Sequence, residues 1–266
     1  MGVDAELIAK FDLTGKVAVI TGAGSGLGQE TARVLSLAGA RTLLSDINEG
    51  GLKQTAALLR ERGADTHTRV ADVTSPESME ALAQAAVEHF GELDIWVNSA
   101  GLPLVAPVIA TTAEDAAPVV AVNMMGTFWG CASAARHMRR GGSIINISSG
   151  GGDRPVECMS IYGMTKAAVN QLTRVCAKEF GAAGIRVNAI APAWNETPMG
   201  TFLFRDAEGN IDEELRERVR AEQAAANPLN RNSTATDIAL TALYLASDAS
   251  GFVNGQLLHV DGGARG

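Results

Sequence analysis

Short β-branched runs alternate along this chain with stretches of helical periodicity. Val17 to Thr21, Thr42 to Ser45, Thr66 to Val70, Leu93 to Asn98, Ser143 to Ser148, Arg186 to Ile190 and Leu257 to Val260 read as seven strands. Helices are predicted over 27–38, over 49–62 and from residue 76 to Gly91. Thr74-Ser75-Pro76-Glu77 opens the last of these with a cap, an early proline and an early acid. The segments VAVI, DIWV and SIINI are apolar without strict alternation, as strands buried on both faces of a parallel sheet should be. The pattern predicts an α/β fold: a doubly wound, three-layer sandwich whose seven-stranded parallel sheet has helices on both faces.

Two helical stretches, 119–138 and 167–177, are apolar nearly all round. Sheet packing covers one face of such a helix, and another subunit can cover the other. Pro118 is expected to start or kink the first of them. No repeat, low-complexity tract or Pro/Ser-rich linker divides the chain, so residues 1–266 are expected to form a single domain. The least regular part is 192–233, and an excursion that long inside a compact domain usually carries function.

Composition narrows the picture. Hydrophobic residues make up 46% of the chain, yet no run reaches the roughly 20 apolar residues of a membrane span. The first ten residues lack the basic segment and apolar run of an export signal. A cytoplasmic protein without membrane partners is the expectation. A net charge of −8 argues against nucleic-acid binding, which needs clustered Lys and Arg. Cys131, Cys158 and Cys176 have no C-x-x-C spacing, and His67, His89, His137 and His259 lack ligand spacing, so no metal is expected.

Thr21-Gly22-Ala23-Gly24-Ser25-Gly26-Leu27-Gly28 lies between the first strand and its helix. Glycines there let the backbone turn tightly and approach a pyrophosphate held at the helix N-terminus, although a simple tight turn would use them too. Gly22, Ser25, Gly26, Leu27 and Gly28 are the candidate phosphate cradle. Asp46 closes the second strand, with Ile47 beside it. A carboxylate there can accept hydrogen bonds from the adenosine ribose and would repel a 2′-phosphate. The alternative is an exposed aspartate starting a turn. No Lys or Arg lies in 23–28, so NAD is the expected cofactor rather than NADP.

Tyr162-Gly163-Met164-Thr165-Lys166 sets a phenol and an ammonium four residues apart, on one helix face. A free tyrosine has a pKa of about 10, and a nearby cation and an oxidised nicotinamide would both favour its phenolate. The spacing alone also fits a surface pair. With the glycine loop, however, the sequence resembles the short-chain dehydrogenase/reductase (SDR) family over almost its whole length, in its NAD-dependent single-domain branch. Thr21 to Gly28 matches the family's T-G-x-x-x-G-x-G, and Asn98-Ser99-Ala100-Gly101 is similar to its N-N-A-G. Asn254-Gly255-Gln256 and Asp261-Gly262-Gly263 resemble its C-terminal strand region.

The resemblance implies a Rossmann-type fold and an oxidoreductase that moves a hydride between NAD(H) and a secondary alcohol or ketone. Tyr162 is implied as general acid/base. Ser149, thirteen residues earlier, would hold the reacting oxygen, with Ser148 adjacent to it. Lys166 would lower the tyrosine pKa and bind the nicotinamide ribose. Asn123 would hold a water linked to that lysine; a local helix bond is its other reading. Asp72, with Val73, would hold the adenine ring, and Asn98, Ala100 and Gly101 would border the cofactor. Pro192 and Thr197 would meet the nicotinamide end. The family also implies a homotetramer.

The family's P-G-x-x-x-T reads here Pro192-Ala193-Trp194-Asn195-Glu196-Thr197, which changes the local geometry expected around the nicotinamide. Substrate choice is expected from Leu102 to Val108, Gly150 to Cys158 and 192–230. Met199, Phe202, Leu203 and Phe204 would form a lid, or else cover the core or an interface. Asp153, Arg154 and Glu157 hint at a charged substrate or at surface ion pairing. The run from Asp212 to Glu222 reads as a solvated helix face. Two alternatives stand beside the alcohol dehydrogenase: a 3-oxoacyl-thioester reductase, which Asp46 disfavours because that role usually takes NADP, and a non-catalytic NAD-binding sensor or scaffold.

Overall fold

The computed structural model describes residues 4–205 and 209–264. Its strands are β1 (Val17–Thr21), β2 (Arg41–Asp46), β3 (Thr66–Val70), β4 (Ile95–Asn98), β5 (Gly142–Ile147), β6 (Ile185–Pro192) and β7 (Leu257–Val260). They form one parallel sheet in the order β3-β2-β1-β4-β5-β6-β7. The order reverses between β1 and β4, where the connections diverge to opposite faces and leave a crevice.

The side-chain period of two sorts the strands into two cores. From β1, Ala18 and Ile20 face one layer, with Leu35 of α2 (Gly26–Leu37), Leu52 of α3 (Glu49–Arg60) and Ile238 of α9 (Ala235–Ala246). Val17 and Val19 face the other, with Met79 of α4 (Pro76–Phe90), Cys131 of α6 (Thr127–His137) and Cys176 of α7 (Ser160–Phe180). A short α1 (Ala5–Ala9) precedes β1. The predicted seven strands and doubly wound layers are all present.

Boundaries differ in places with local causes. β4 starts at Ile95 rather than Leu93, because the Asp94 carboxylate accepts from Val17 N at 2.9 Å and so ends the incoming turn. The helix expected from 119 begins six residues earlier as α5 (Ala113–Val119). A capping box between Thr112 and Asp115 starts it, and Pro118 lies inside it. The chain then widens into a π-helical stretch, Val120–Gly126, before α6. Proline removes an amide from the helical ladder, and π segments of this kind recur beside functional sites. The 192–233 excursion contains a 3-10 turn at Gly200–Phe204 and α8 (Glu213–Ala225).

Candidate active site

A cavity of about 630 Å³ opens along the C-terminal ends of the strands, within the range usual for ligand sites. The glycine loop forms one end of it. Gly22 has φ +68°, and an added Cβ would stand 2.7 Å from Ala100 N. Loop and β4 exit therefore touch backbone to backbone. A Cβ on Gly28 would run into the Gly22 carbonyl, so helix α2 can approach the turn only through a glycine. Ser25, the N-cap of α2, makes no side-chain cap, which leaves the first amides of the helix for an anion.

Asp46 is held in place by its neighbours. Gly24 N donates to its Oδ2 at 2.8 Å and Asn48 N to its Oδ1 at 2.9 Å. Asp72 accepts from Thr74 N and Thr74 Oγ1, at 2.9 and 2.8 Å. Ile47, Asp72 and Val73 line the same end. This cradle of glycine backbone, open helix amides and a fixed carboxylate fits a dinucleotide.

At the other end, α7 presents Tyr162 and Lys166. Lys166 is buried and Tyr162 half-buried, and each is shifted by desolvation against its charged form. The Tyr162 phenol is pushed above its ordinary range by burial, and a hydrogen bond with Ser149 pulls partly the other way. The Lys166 ammonium is brought down to about 8. Its Nζ donates to Ile147 O at 2.9 Å and stands 5.7 Å from the Tyr162 ring centroid. For the phenol, desolvation is the larger influence and the Ser149 hydrogen bond the smaller.

The two adjacent serines separate cleanly. Ser148 Oγ bonds Asn170 Oδ1 and Lys166 O and belongs to the α7 packing. Ser149 accepts from Gly151 N at 3.1 Å and faces Tyr162 in the cavity.

The sequence comparisons agree with this geometry. A family model described as Enoyl-(Acyl carrier protein) reductase matches residues 22–265. The short chain dehydrogenase/reductase astE of Aspergillus oryzae is 40% identical over 262 residues, 96% of each chain. The chain belongs to the short-chain dehydrogenase/reductase family. Levodione reductase of Leifsonia aquatica is 36% identical, covering 94% of each chain. A solved gluconate 5-dehydrogenase from Burkholderia cenocepacia, in complex with NADP and tartrate, superposes with a TM-score of 0.88 at 33% identity, covering 97% of this chain and 98% of that one. The protein is thus an oxidoreductase of the alcohol–carbonyl type, on the family's Rossmann-type sheet.

Most of the residues expected at the site of this short-chain dehydrogenase/reductase line the cavity: Gly22, Ser25, Gly26, Leu27 and Gly28 of the loop, Asp46, Ala100, Gly101, Ser149, Tyr162, Lys166, Pro192 and Thr197 among them. Asn98 and Asn123 do not. Asn98 shares its strand face with Trp96, so the two point together into the helix layer. Its Oδ1 accepts from Trp96 Nε1 at 2.7 Å and its Nδ2 donates to Asn146 Oδ1 at 2.8 Å. Asn123, fully buried in the π-helical stretch, bonds the backbone of Leu102 in both directions, at 2.8 and 2.9 Å. It makes no local helix bond with its side chain. A Cβ on Gly101 would stand 3.4 Å from Asn123 Oδ1 and 3.8 Å from Lys166 Nζ, so the asparagine and the lysine flank the same glycine.

The excursion divides. Met199, Phe202 and Leu203 line the cavity, whereas Phe204 is buried with its ring 6.4 Å from that of Trp194. Sequence reasoning passed over Met159 as a lining residue, and it covered Trp194 and Gln223 only within the 192–230 stretch as a whole. The departure from the P-G-x-x-x-T pattern was the signal for Trp194; nothing local marks Gln223. The charged run of α8 is largely solvated, as expected, but two of its arginines also turn to the excursion. Arg216 and Arg220 clamp the two oxygens of Glu196, each at 2.6 Å. Asp153 pairs with His259 at 3.2 Å, and Arg154 lines the cavity.

Proposed function

We propose that this protein is an NAD-dependent dehydrogenase of secondary alcohols, and reductase of the matching ketones, with Tyr162 as its general acid/base. The observation that carries the reading is the convergence of Tyr162, Ser149 and Lys166 at one end of a cavity whose other end is a dinucleotide cradle. Bound nicotinamide supplies the partner for hydride exchange. Ser149 donates to the reacting oxygen and holds it against the Tyr162 phenol. In oxidation Tyr162 takes the alcohol proton, and in reduction it returns one to the carbonyl oxygen. Lys166 remains largely cationic at pH 7, since it titrates at about 8, and holds positive charge beside the phenol and the ribose site. Asn123 fixes the Leu102 turn facing that lysine and anchors a water that passes the proton outward.

The Asp46 carboxylate, tied to Gly24 N, supports NAD over NADP, because its negative charge would repel a 2′-phosphate. A preference of roughly tenfold needs only about 1.4 kcal/mol. Exposed Phe128, Met164 and Val175 on α6 and α7 support a homotetramer with these helices at its interfaces. Three free thiols suit the reducing cytoplasm. The 3-oxoacyl-thioester reading has the wording of the matched family model in its favour. Asp46 opposes it through the cofactor, and rates with an acyl-thioester against secondary alcohols, NAD as cofactor, separate the two.

Tyr162→Phe is the decisive test. Turnover of alcohols and ketones should vanish while NAD still binds, as read by titration calorimetry. Wild-type oxidation should climb with pH as the phenolate forms. Near-normal turnover by the phenylalanine variant overturns the mechanism, and NAD binding without turnover in the wild type, across alcohols and ketones, leaves only a sensor.

A further inference from the structure

The substrate end of the cavity has apolar walls, among them Leu102, Val156, Met159 and Phe202. Among the described residues, the charged side chain that enters this end, apart from Lys166, is Arg154. Its backbone is anchored to the loop that carries Ser149. Arg154 N donates to Gly150 O at 3.2 Å, which folds the loop back on the Gly150–Gly152 turn. Its guanidinium then lies over Gly150. A Cβ built on Gly150 would stand 3.6 Å from Arg154 Nε, 3.9 Å from its Nη2 and 3.6 Å from Pro192 O. Gly150 directly follows Ser149, so the cation stands one residue from the hydroxyl that faces Tyr162.

Neighbouring charges are otherwise engaged. Asp153 pairs with His259, and Arg216, Arg220 and Arg231 each hold a carboxylate within 2.9 Å. Among the described residues, Arg154 has no carboxylate within 4.0 Å. The cation does not serve a 2′-phosphate either, because Asp46 and Ile47 mark that end of the dinucleotide cradle at the far side of the loop. An arginine's planar fork matches a carboxylate in a bidentate manner.

We propose that Arg154 receives a carboxylate of the substrate, so that the enzyme acts on hydroxy acids, and the matching keto acids, with an apolar skeleton between the two groups. The inference rests on the dehydrogenase reading above and names its substrate class. The secondary hydroxyl would lie at Ser149 and Tyr162, the hydrocarbon against the apolar walls, and the acid at Arg154.

The test compares matched pairs, hydroxy acid against its methyl ester, on cyclohexane and short-chain skeletons, with NAD as oxidant. In the wild type, kcat/KM for the acid should exceed that for the ester by about tenfold or more, mostly through KM. Arg154→Gln should erase that ratio, and Arg154→Lys should retain part of it. The ratio within each pair is the readout, so a general loss of activity does not mimic the effect. Equal rates for acid and ester in the wild type, or an acid preference that survives Arg154→Gln, overturn the proposal. Oxidation of neutral alcohols without any hydroxy acid does so too, and leaves the dehydrogenase reading standing. If alcohols, acids and esters all fail, both readings fall.

Discussion

The two ends of the cavity are built from different materials. The dinucleotide end is made of backbone: glycines packed on a neighbouring turn, open helix amides, and one aspartate fastened by main-chain donors. The substrate end is made of side chains, carried by the 150–159 loop and the 192–233 excursion and held by pairs far apart in sequence. A backbone site tolerates no added atom, because nothing in it can rotate away. A side-chain site can be retuned one residue at a time. The contrast teaches where this enzyme's chemistry is fixed and where its choice of substrate is free to vary.

The sharpest way to break that contrast is Gly28→Ala. A methyl group there collides with the Gly22 carbonyl, and neither backbone segment can yield without moving β1 or α2. NAD affinity should fall by about a hundredfold, roughly 2.7 kcal/mol, when followed by calorimetry. Circular dichroism should still report the folded sheet. Unchanged affinity would show that the loop is looser than its packing implies.

A milder change at the same end is Asp46→Asn, which keeps size and shape while removing the charge. The ratio of kcat/KM for NAD over NADP should drop by about tenfold. A ratio that stays put would assign the preference to the loop's shape instead of to the carboxylate.

This division also explains what could be read from the sequence. Apolar runs separated by helical periods specify a parallel sheet, and all seven strands lie within a few residues of their expected bounds. The cradle was legible because close backbone approach demands glycine at fixed spacing. Ser149 was separable from Ser148 by resemblance alone; the physical reason emerges only when Asn170 and Lys166 O are seen to consume the other hydroxyl. Asn98 misled because its motif suggested the cofactor, whereas strand parity with Trp96 sends it to the helix layer. The Tyr162–Lys166 spacing could be read directly, but the desolvation of the two groups could not. Burial acts on both groups, and burial cannot be counted from a five-residue motif. Long-range pairs such as Glu196 with Arg216 and Arg220 leave no local trace, since a charge run looks the same whether it faces solvent or a partner.

That last pair offers the gentlest probe, and it tests the substrate end. Glu196 lies between Asn195 and Thr197, both on the cavity wall, while Arg216 and Arg220 belong to α8, which brings Gln223 to the same wall. Burial draws the Glu196 carboxyl upward, but the two arginines outweigh it and hold the group below its ordinary range. A carboxylate depressed in this way stabilises the folded state fully above its unfolded pKa of about 4.3, and the contribution is lost as pH falls further, through the folded value. Glu196→Gln imposes that loss at neutral pH. If the clamp positions α8 for the substrate, KM should rise by about threefold with kcat changed far less, and NAD affinity should not move. The partly exposed pair makes a small effect the right expectation. A matched fall in kcat and in NAD affinity would instead mean that the two ends are mechanically one, joined through Thr197, whose side chain stands within 3.3 Å of where a Cβ on Gly26 would lie.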